Sequence, residues 1–332
     1  MTDGRRLAVS GSLLHDRRVD IAVPDCGGNP VIEAAFRRHL EGQASVFIHH
    51  DRPEDADALA RRIADVTTVL LFFSARPLSA GVLEASSAKR IIVAGPIGAS
   101  VDLEAARRRN MAVYETPGLA SASVAEYTIA LALALGRQMT DGCLELRSGR
   151  WHATFGRGLF GKTVGIVGLG RVGSRVADLC KAFSARVLAW SPSLTDGRAA
   201  ELGVRRTELD ELAAGSDVIS LHMRLSPTTK GLFDARLIDQ MRPTAFLINT
   251  ARAGLVDGEA LRQALSARRI AGAALDVFDD EPIGPGSPWL QTDNVLLSPH
   301  MAWMSEEALE AFVGAAVDFA IRGDESRVRR VV

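Results

Sequence analysis

The sequence is poor in cysteine, in net charge and in long hydrophobic runs, and each shortage excludes a class of protein. Three widely separated cysteines, Cys26, Cys143 and Cys180, show no metal-ligand spacing, so we expect reduced thiols and no metal site. A net charge of −1 gives no electrostatic basis for binding nucleic acid or anionic lipid. The longest mostly apolar stretch, 127–135, is about half of the roughly 20 residues that span a bilayer. We therefore expect a cytoplasmic protein without a membrane segment.

Length and composition predict two globular domains. The chain has 332 residues, of which 47% are apolar and 24% charged, as is ordinary for a folded protein. This length is roughly twice that of an average domain. The sequence contains neither an internal repeat nor a low-complexity tract.

From residue 160 onward, short apolar runs alternate with segments of helical periodicity. An apolar stripe at i, i+4, i+7 and i+11 predicts a helix over 171–183. Strands are predicted over 163–167, 186–190, 217–222, 245–250, 271–277 and 295–297, and further helices at the side-chain caps Thr207, Asp234 and Asp257. Such alternation is typical of a doubly wound parallel sheet covered by helices.

The first 110 residues repeat this pattern less clearly. Strands are predicted there over 19–23, 46–49, 69–73 and 91–93, which indicates a second, smaller α/β domain. An Ala/Leu-rich helix over 123–137 connects the two regions, and a terminal helix capped by Ser305 and ending near Gly323 leads back.

Residues 156–163 match the pattern of a nucleoside triphosphate loop, G-x-x-x-x-G-K-T, in the wrong context. Such a loop needs a strand before it and a helix after it, whose amides face the phosphates. Here the apolar strand follows Lys162 instead, so we interpret Gly161 and Lys162 as the turn that enters the strand.

A second glycine pattern, Gly168-x-Gly170-x-x-Gly173, stands in the right context, after a predicted strand and at the start of a helix. In a dinucleotide site the first glycine permits a tight turn and the second lets a pyrophosphate approach the backbone. The third lets helix and strand pack closely, and the helix amides face the phosphates. The pattern predicts a nicotinamide dinucleotide as cofactor.

The residue at the end of the second strand decides between NAD and NADP. An acidic side chain there would hold the adenosine ribose, but this chain has Ser191, which does not repel a 2′-phosphate. Arg198 is close enough in sequence to bind such a phosphate. Both cofactors stay open, with NAD favoured.

Three residues with the right chemistry for hydride transfer follow the carboxyl ends of predicted strands, where open parallel sheets bind ligands: Arg252, Glu281 and His300. An imidazole exchanges protons near neutral pH, and a neighbouring carboxylate favours its protonated form. A guanidinium binds a carboxylate through two parallel hydrogen bonds. We therefore predict that these three residues are catalytic.

Four motifs together resemble the D-isomer-specific 2-hydroxyacid dehydrogenases. They are Val-Gly-Leu-Gly-Arg-Val-Gly at 167–173, Asn-Thr-Ala-Arg-Ala-Gly at 249–254, Leu-Asp-Val-Phe with Glu-Pro at 275–282, and Ser-Pro-His at 298–300. The resemblance is strong from about Ala112 to the last helix and weaker before Pro77.

The resemblance implies an α/β protein with two Rossmann-like doubly wound domains. A cofactor domain, 113–300, would be inserted into a substrate domain formed by 1–112 and 301–332, and the cofactor domains of two copies would form a homodimer. The implied reaction is the reversible reduction of a small 2-oxoacid to a D-2-hydroxyacid. Arg252 would bind the substrate carboxylate, Glu281 would pair with His300, and His300 would be the acid and base.

The same resemblance implies a set of cofactor-binding residues. Arg171 and Val172 would meet the pyrophosphate together with Gly168, Gly170 and Gly173, Ser191 would occupy the ribose position, and His222 and Thr229 would border the adenosine. Thr250, Ala251 and Arg252 would line the nicotinamide, Asp276 would bind its carboxamide, and His300 and Ala302 would lie nearby.

Departures from the family pattern keep other functions open. The loop 95–100 differs from the family's usual Gly-x-Gly-x-Asp-Asn, so the family pattern does not specify the substrate. Arg224 stands where proline is common. A same-fold dehydrogenase of formate, phosphite or a diacid is one alternative, in which Arg224 or Arg76 would bind a second acidic group. A non-catalytic NAD(H)-sensing protein is the other, which the set Arg252, Glu281 and His300 disfavours.

Overall fold

The computed structural model describes residues 21–42 and 45–332, which form two compact units. Unit 1 comprises the described residues up to Ala120 together with Ser305–Val332, and unit 2 is Ser121–Met304. Among the described residues, no helix combines the length and apolar character needed to cross a bilayer. Part of the predicted strand 19–23, namely residues 19 and 20, lies outside the described ranges.

Unit 1 is built on a six-stranded sheet. Its elements are β1 Ile21–Val23, α1 Pro30–Leu40, β2 Val46–Ile48, α2 Ala56–Ile63, β3 Thr68–Phe72, α3 Ala80–Glu84, β4 Arg90–Ala94, α4 Leu103–Arg108 and β5 Ala112–Glu115. The C-terminal segment of the chain adds α12 Glu306–Arg322, the short 3-10 helix Glu325–Arg327 and β13 Arg329–Arg330. The strand order is β13-β5-β4-β3-β1-β2, parallel except for β13, which pairs antiparallel with β5.

Unit 2 contains the remaining elements. They are α5 Ser121–Gly136, α6 Met139–Arg147, β6 Thr163–Val167, α7 Arg171–Ala182, β7 Arg186–Trp190, α8 Asp196–Glu201, β8 Arg205–Arg206, α9 Leu209–Gly215, β9 Val218–Leu221, α10 Ala235–Gln240, β10 Phe246–Asn249, α11 Gly258–Ser266, β11 Gly272–Leu275 and β12 Val295–Leu297. Two 3-10 helices, Ala253–Leu255 and Pro288–Gln291, interrupt the loops.

The seven strands of unit 2 are all parallel and run in the order β12-β11-β10-β9-β6-β7-β8. The chain moves outward from β6 to β8 and then restarts at β9 on the other side of β6, so the strand order reverses between β6 and β9. Helices cover both faces of the sheet, with α5 and α7 packed on one side. The predicted α/β class with two doubly wound sheets is confirmed. Ligands of such sheets bind where the order reverses, at the carboxyl ends of the strands.

Most predicted elements of unit 2 are present, with one error at a helix start. Asp234 and Asp257 accept hydrogen bonds from first-turn amides, as predicted for caps, and so does Ser305 in unit 1. The predicted cap Thr207 is wrong, because α9 begins one residue later, after Glu208, without a side-chain cap. The Thr207 hydroxyl instead donates to the Glu211 carboxylate, which lies in the first turn of the helix.

Candidate active site

The register of the unit 2 sheet places five of the predicted cofactor residues along one edge. One aligned row consists of Trp190, Val167, Leu221, Asn249, Leu275 and Leu297, taken from β7, β6, β9, β10, β11 and β12. The next residue of each strand is Ser191, Gly168, His222, Thr250, Asp276 or Ser298. Five of these six residues are predicted cofactor ligands, and the sixth belongs to the Ser-Pro-His motif. Strand pairing alone therefore brings them to the carboxyl edge of one sheet.

The three glycines of the turn after β6 meet different surroundings. A Cβ atom on Gly173 would lie 2.0 Å from the carbonyl oxygen of Gly168, and one on Gly168 would lie 2.8 Å from the backbone of His222. Both positions are closed to any side chain by packing within the unit. A Cβ on Gly170 would meet no protein atom within 4 Å. The open space at Gly170, beside the first-turn amides of α7, fits a pyrophosphate group.

Replacing Gly170 by alanine is expected to weaken cofactor binding without harming the fold. Gly170 has an extended backbone that alanine adopts freely, and no protein atom obstructs the new methyl group. The methyl would occupy the space that the pyrophosphate needs, so the dissociation constant for NADH should rise by about tenfold or more. Fluorescence titration measures this constant, and thermal unfolding checks the fold.

Gly197 supplies the matched control, because a Cβ there also meets nothing within 4 Å and the residue lies in α8. Gly197→Ala should leave NADH binding unchanged. Unchanged NADH affinity in Gly170→Ala would contradict the placement of the pyrophosphate at this turn.

The two residues predicted to border the adenosine, His222 and Thr229, differ in the state of their polar groups. The ring of His222 is partly buried, its Nε2 lies 2.8 Å from the Ser220 hydroxyl, and burial lowers the pKa of His222 to about 3. His222 is therefore neutral at physiological pH and presents an uncharged ring. Thr229 is buried in its own loop, where its hydroxyl donates to the Arg224 carbonyl and accepts from the Ser226 amide.

A buried asparagine shapes the turn that carries Arg252. Asn249 is 1% exposed, and its side-chain amide donates to the Arg252 carbonyl at 2.9 Å while its side-chain oxygen accepts from the Ala251 amide at 3.0 Å. Thr250 is anchored separately, because its hydroxyl lies 2.9 Å from the Thr128 hydroxyl of α5. The guanidinium of Arg252 is exposed and donates to the Ala251 carbonyl. The turn is thus fixed from within the unit, and the charged end of Arg252 projects into solvent.

Glu281 and His300 are in direct contact. His300 Nδ1 lies 2.6 Å from Glu281 Oε2, and the second oxygen of Glu281 accepts from the Phe278 amide at 2.8 Å. Because an ionised carboxylate can only accept, Nδ1 carries the proton of this contact. Nε2 is then the ring nitrogen that can exchange a proton with a ligand. His300 has φ +52, which is uncommon for a residue other than glycine and typical of positions held by their surroundings.

The loop around His300 is attached to the buried carboxylate of Asp276. Asp276 is fully buried and accepts from the Ser298 hydroxyl at 2.5 Å, from the Met301 amide at 2.9 Å and from the Ala302 amide at 2.9 Å. Ala302 is also held through its carbonyl, which accepts from the Ser123 hydroxyl of α5. Neither these hydrogen bonds nor the role of Asn249 can be predicted from the sequence alone.

The described residues contain no group of three side chains that could hold a metal ion. Two of the three cysteines, Cys26 and Cys180, are buried, and burial raises the pKa of each thiol to about 12. Neither thiol forms the reactive thiolate readily. Arg252, Glu281 and His300 stay the predicted catalytic residues of this edge.

Comparisons with known proteins find similar sequences and a similar fold. The family model for the NAD binding domain of D-isomer specific 2-hydroxyacid dehydrogenase matches residues 129–302. A D-3-phosphoglycerate dehydrogenase of Archaeoglobus fulgidus is 38% identical over 234 residues, which are 70% of this chain and 44% of that protein. A glyoxylate reductase of Korarchaeum cryptofilum is 35% identical over 286 residues, 83% of each chain. The structure of D-lactate dehydrogenase from Escherichia coli has a TM-score of 0.82 and 25% identity, covering 94% of this chain and 100% of the other.

The chain spans about half the length of the D-3-phosphoglycerate dehydrogenases that it matches, and most of the glyoxylate reductase. The matched residues 129–302 lie within unit 2, which therefore contains an NAD-binding domain. The family model covers more than half of the chain, and the full set of motifs lies in or next to it. This protein belongs to the D-isomer specific 2-hydroxyacid dehydrogenase family.

Proposed function

We propose that the protein reversibly reduces a small 2-oxoacid to the D-2-hydroxyacid with a nicotinamide cofactor. The observation that carries this proposal is the 2.6 Å contact between His300 and Glu281 at the carboxyl edge of the NAD-binding sheet. A sensing protein needs no proton donor at that edge, whereas reduction of a carbonyl does.

His300 is the proposed acid and base of the reaction. A bound nicotinamide would supply the hydride for the carbonyl carbon. His300 gives the proton from Nε2 to the carbonyl oxygen and regains it when the reaction runs in reverse. Glu281 accepts the Nδ1 hydrogen bond throughout, so it fixes the ring and stabilises the imidazolium.

Arg252 is the proposed partner of the substrate carboxylate. Its backbone is set by Asn249, and its guanidinium is exposed next to a row of cofactor residues. A planar guanidinium forms two parallel hydrogen bonds to a carboxylate, which fixes the orientation of the neighbouring keto group.

We also propose that unit 1 is the substrate domain and unit 2 the cofactor domain. In the loop after β4, the Gly95 and Ile97 amides already donate to side chains of the unit, and Ser100 donates to Ile97. Within the described part of the chain, the amides of Gly98 and Ala99 donate to no protein group, so they can bind an anion. The Arg76 guanidinium donates to the carbonyls of Pro53 and Glu54, which argues against its binding a second acidic group of a substrate.

A substrate screen tests the proposal. The purified protein is mixed with NADH or NADPH and with glyoxylate, pyruvate, hydroxypyruvate, a longer 2-oxoacid or a 2-oxo diacid. It is mixed separately with NAD or NADP and with formate or phosphite. The absorbance of the reduced cofactor is followed in every mixture. We expect oxidation of the reduced cofactor with at least one 2-oxoacid. The product should have the D configuration for every substrate except glyoxylate, whose product has no stereocentre. Reduction of the oxidised cofactor by formate or phosphite alone would assign one of the other reactions, and cofactor binding without any turnover would indicate a sensing protein.

NAD is the proposed cofactor because the arginines near Ser191 are already paired. Arg198 donates to Glu201 at 2.9 Å, and Arg206 contacts both Asp196 and Glu208. A 2′-phosphate would find no unpaired cation in this segment. NADPH therefore lacks the hydrogen bond from a cation to its 2′-phosphate, and such a bond contributes roughly a factor of ten or more to affinity. We expect the dissociation constant of NADPH to be about tenfold or more above that of NADH. Fluorescence titration with both cofactors measures the ratio, and equal affinities would refute the preference.

A homodimer is part of the proposal because unit 2 exposes an unusual apolar surface. We define the apolar arm as residues 139–160, which include α6. None of the α6 residues is buried, and six large apolar side chains of the arm are more than half exposed: Met139, Leu144, Leu146, Trp151, Phe155 and Phe160. Exposed apolar surface of this kind marks an interface, and the commonest oligomer is a symmetric dimer.

We expect the wild-type protein to sediment as a dimer and the double variant Trp151→Asp, Phe155→Asp to sediment as a monomer. Two carboxylates cannot be buried in an apolar interface without a large loss of affinity. Leu290→Asp is the matched control, because Leu290 is 52% exposed in unit 2 outside the arm, and this variant should remain dimeric. A monomeric wild-type protein, or a dimeric double variant, would show that the arm is not the interface.

We propose that the enzyme is cytoplasmic. All three cysteines are free thiols, and two of them are buried away from oxidants. Free thiols of this kind persist in reducing compartments.

A further inference from the structure

We propose that Glu115 is a positioning residue for substrate binding, which holds the turn 97–100 in place, and that Arg329 of β13 keeps the Glu115 carboxylate in position. This inference rests on the proposed function, because it takes unit 1 as the substrate domain. The turn belongs to a loop that departs from the family's usual pattern, so its shape depends on contacts particular to this chain.

The turn 97–100 follows β4 at the carboxyl edge of the unit 1 sheet. The Ser100 amide donates to the Ile97 carbonyl at 2.9 Å, which closes a four-residue turn. Gly98, inside the turn, has φ +47, a backbone conformation that glycine adopts readily. Within the described residues, the amides of Gly98 and Ala99 donate to no protein group. The turn therefore presents two neighbouring donors that suit an anion such as a carboxylate.

Glu115 holds the first residue of this turn. It is the last residue of β5 and only 2% exposed. Its Oε2 accepts from the Ile97 amide at 2.8 Å. Because the carboxylate is shielded from water, solvent competes little for this hydrogen bond. The bond therefore fixes where the turn begins relative to the sheet.

The second oxygen of Glu115 is bound by Arg329. The guanidinium donates to Oε1, and β13 runs antiparallel to β5 with Arg329 directly opposite Glu115. The side chain of Glu115 is 3% exposed and that of Arg329 58% exposed, so a buried carboxylate faces a cation that keeps contact with water. Burial of a carboxylate without such a partner costs free energy. Each oxygen of Glu115 thus has one defined partner, and rotation of the carboxylate breaks a hydrogen bond.

The ends of the loop are attached by neutral groups instead. Thr116 is fully buried, and its hydroxyl accepts from the Gly95 amide at 2.7 Å. The Ser100 hydroxyl donates to the Phe73 carbonyl at 3.0 Å. Glu115 holds the middle of the loop, between these two attachments. Its loss should therefore loosen the turn while both ends of the loop stay in place.

The ion pair also sets the charge next to the turn. An unpaired Glu115 carboxylate would repel an anionic substrate at the turn amides, whereas the pair with Arg329 carries no net charge. Arg329 thus has two effects of the same sign, because it orients the carboxylate and cancels its charge. We expect its removal to weaken binding of the 2-oxoacid and to leave the proton transfer by His300 unaffected.

The variants Glu115→Gln and Arg329→Gln test this role through the KM for the 2-oxoacid that the substrate screen identifies. The glutamine oxygen can accept from the Ile97 amide only if the glutamine amine faces Arg329, so one of the two hydrogen bonds is lost. We expect KM to rise about tenfold or more in both variants, which is the contribution of a hydrogen bond to a charged group. The value of kcat should change by less than about threefold, because the proposed acid and base is untouched.

Two further variants of β13 are matched to these. Arg329→Lys keeps a cation beside Glu115, and the contact uses a single nitrogen, which lysine also supplies, so KM should stay within about threefold of the wild-type value. Arg330 is the next residue of β13, and its guanidinium donates to the Val332 carbonyl. Arg330→Gln should therefore leave KM unchanged. An unchanged KM in Glu115→Gln, or an equal rise in Arg330→Gln and Arg329→Gln, would overturn the proposal.

Hydrogen exchange of the cofactor-free protein, followed by mass spectrometry, tests the anchoring without turnover. We expect peptides covering 95–100 to exchange about tenfold faster in Glu115→Gln and Arg329→Gln than in the wild-type protein and Arg330→Gln. Peptides of unit 1 outside this loop and β13 should exchange as in the wild-type protein. Unchanged exchange at 95–100 would show that Glu115 does not hold the turn, and faster exchange throughout unit 1 would show a general structural role. Either result would overturn the proposal.

The two measurements also separate this inference from the proposed function. If no 2-oxoacid is turned over by the wild-type protein, the proposed function fails, and the exchange at 95–100 alone decides whether Glu115 holds the turn. If a 2-oxoacid is turned over but KM and exchange are both unchanged in Glu115→Gln, the proposed function stands and the positioning role of Glu115 is refuted.

Discussion

Replacing His300 by alanine is expected to lower kcat by about 1000-fold, because general acid and base catalysis contributes roughly 100- to 10,000-fold. His300 is the only member of the three proposed catalytic residues that can both give and take a proton at neutral pH. Its ring is 39% exposed and makes its one hydrogen bond within unit 2 to Glu281. Steady-state kinetics give kcat, and fluorescence titration should give an NADH dissociation constant close to that of the wild-type protein.

His39 provides the matched control for His300. It also pairs with a glutamate, since its Nε2 lies 2.9 Å from Glu310 Oε2, but this pair joins α1 to α12 inside unit 1. His39→Ala should change kcat by less than about twofold, because it removes a surface ion pair of small energy. If His300→Ala retained more than a tenth of the wild-type rate, another group would have to be the acid.

The main elements of unit 2 can be predicted from sequence because its central strands are buried on both faces. Residues 163–167 and 218–221 are apolar or small throughout and fully buried, which produces short continuous apolar runs. The two-residue strands β8 and β13 consist of exposed arginines and are defined by pairing with a neighbour, so they leave no local signal. The start of α9 is predicted one residue too early, because the Thr207 hydroxyl binds the Glu211 side chain and not a helix amide.

The site is predictable only in part. Residues that follow strands, such as Ser191 and Asp276, can be assigned to one edge because parallel strands end together. The bonds that Asp276 makes to the loop 298–302 connect segments more than 20 residues apart, and no local pattern encodes them. The left-handed backbone of His300 is equally invisible, since its sequence contains no glycine at that point.

Replacing Arg252 is expected to harm the use of substrate more than the binding of cofactor. Arg252→Ala should lower kcat/KM by about 1000-fold, because truncating one partner of a hydrogen-bonded charge pair costs roughly 2 to 5 kcal/mol. Arg252→Lys keeps the charge but loses the planar fork, and should lower kcat/KM by about 100-fold through the loss of one charged hydrogen bond. Kinetics at varied 2-oxoacid concentration measure both losses, with most of the effect in KM.

Two further measurements connect these losses to the guanidinium itself. Arg236 pairs with Asp210 on the surface of unit 2, so Arg236→Lys should leave kcat/KM unchanged. Added guanidinium ion should restore part of the rate of Arg252→Ala and none of the rate of His300→Ala, because it replaces the missing fork but not the proton donor. If Arg252→Lys used the 2-oxoacid as well as the wild-type protein does, the carboxylate would be bound elsewhere.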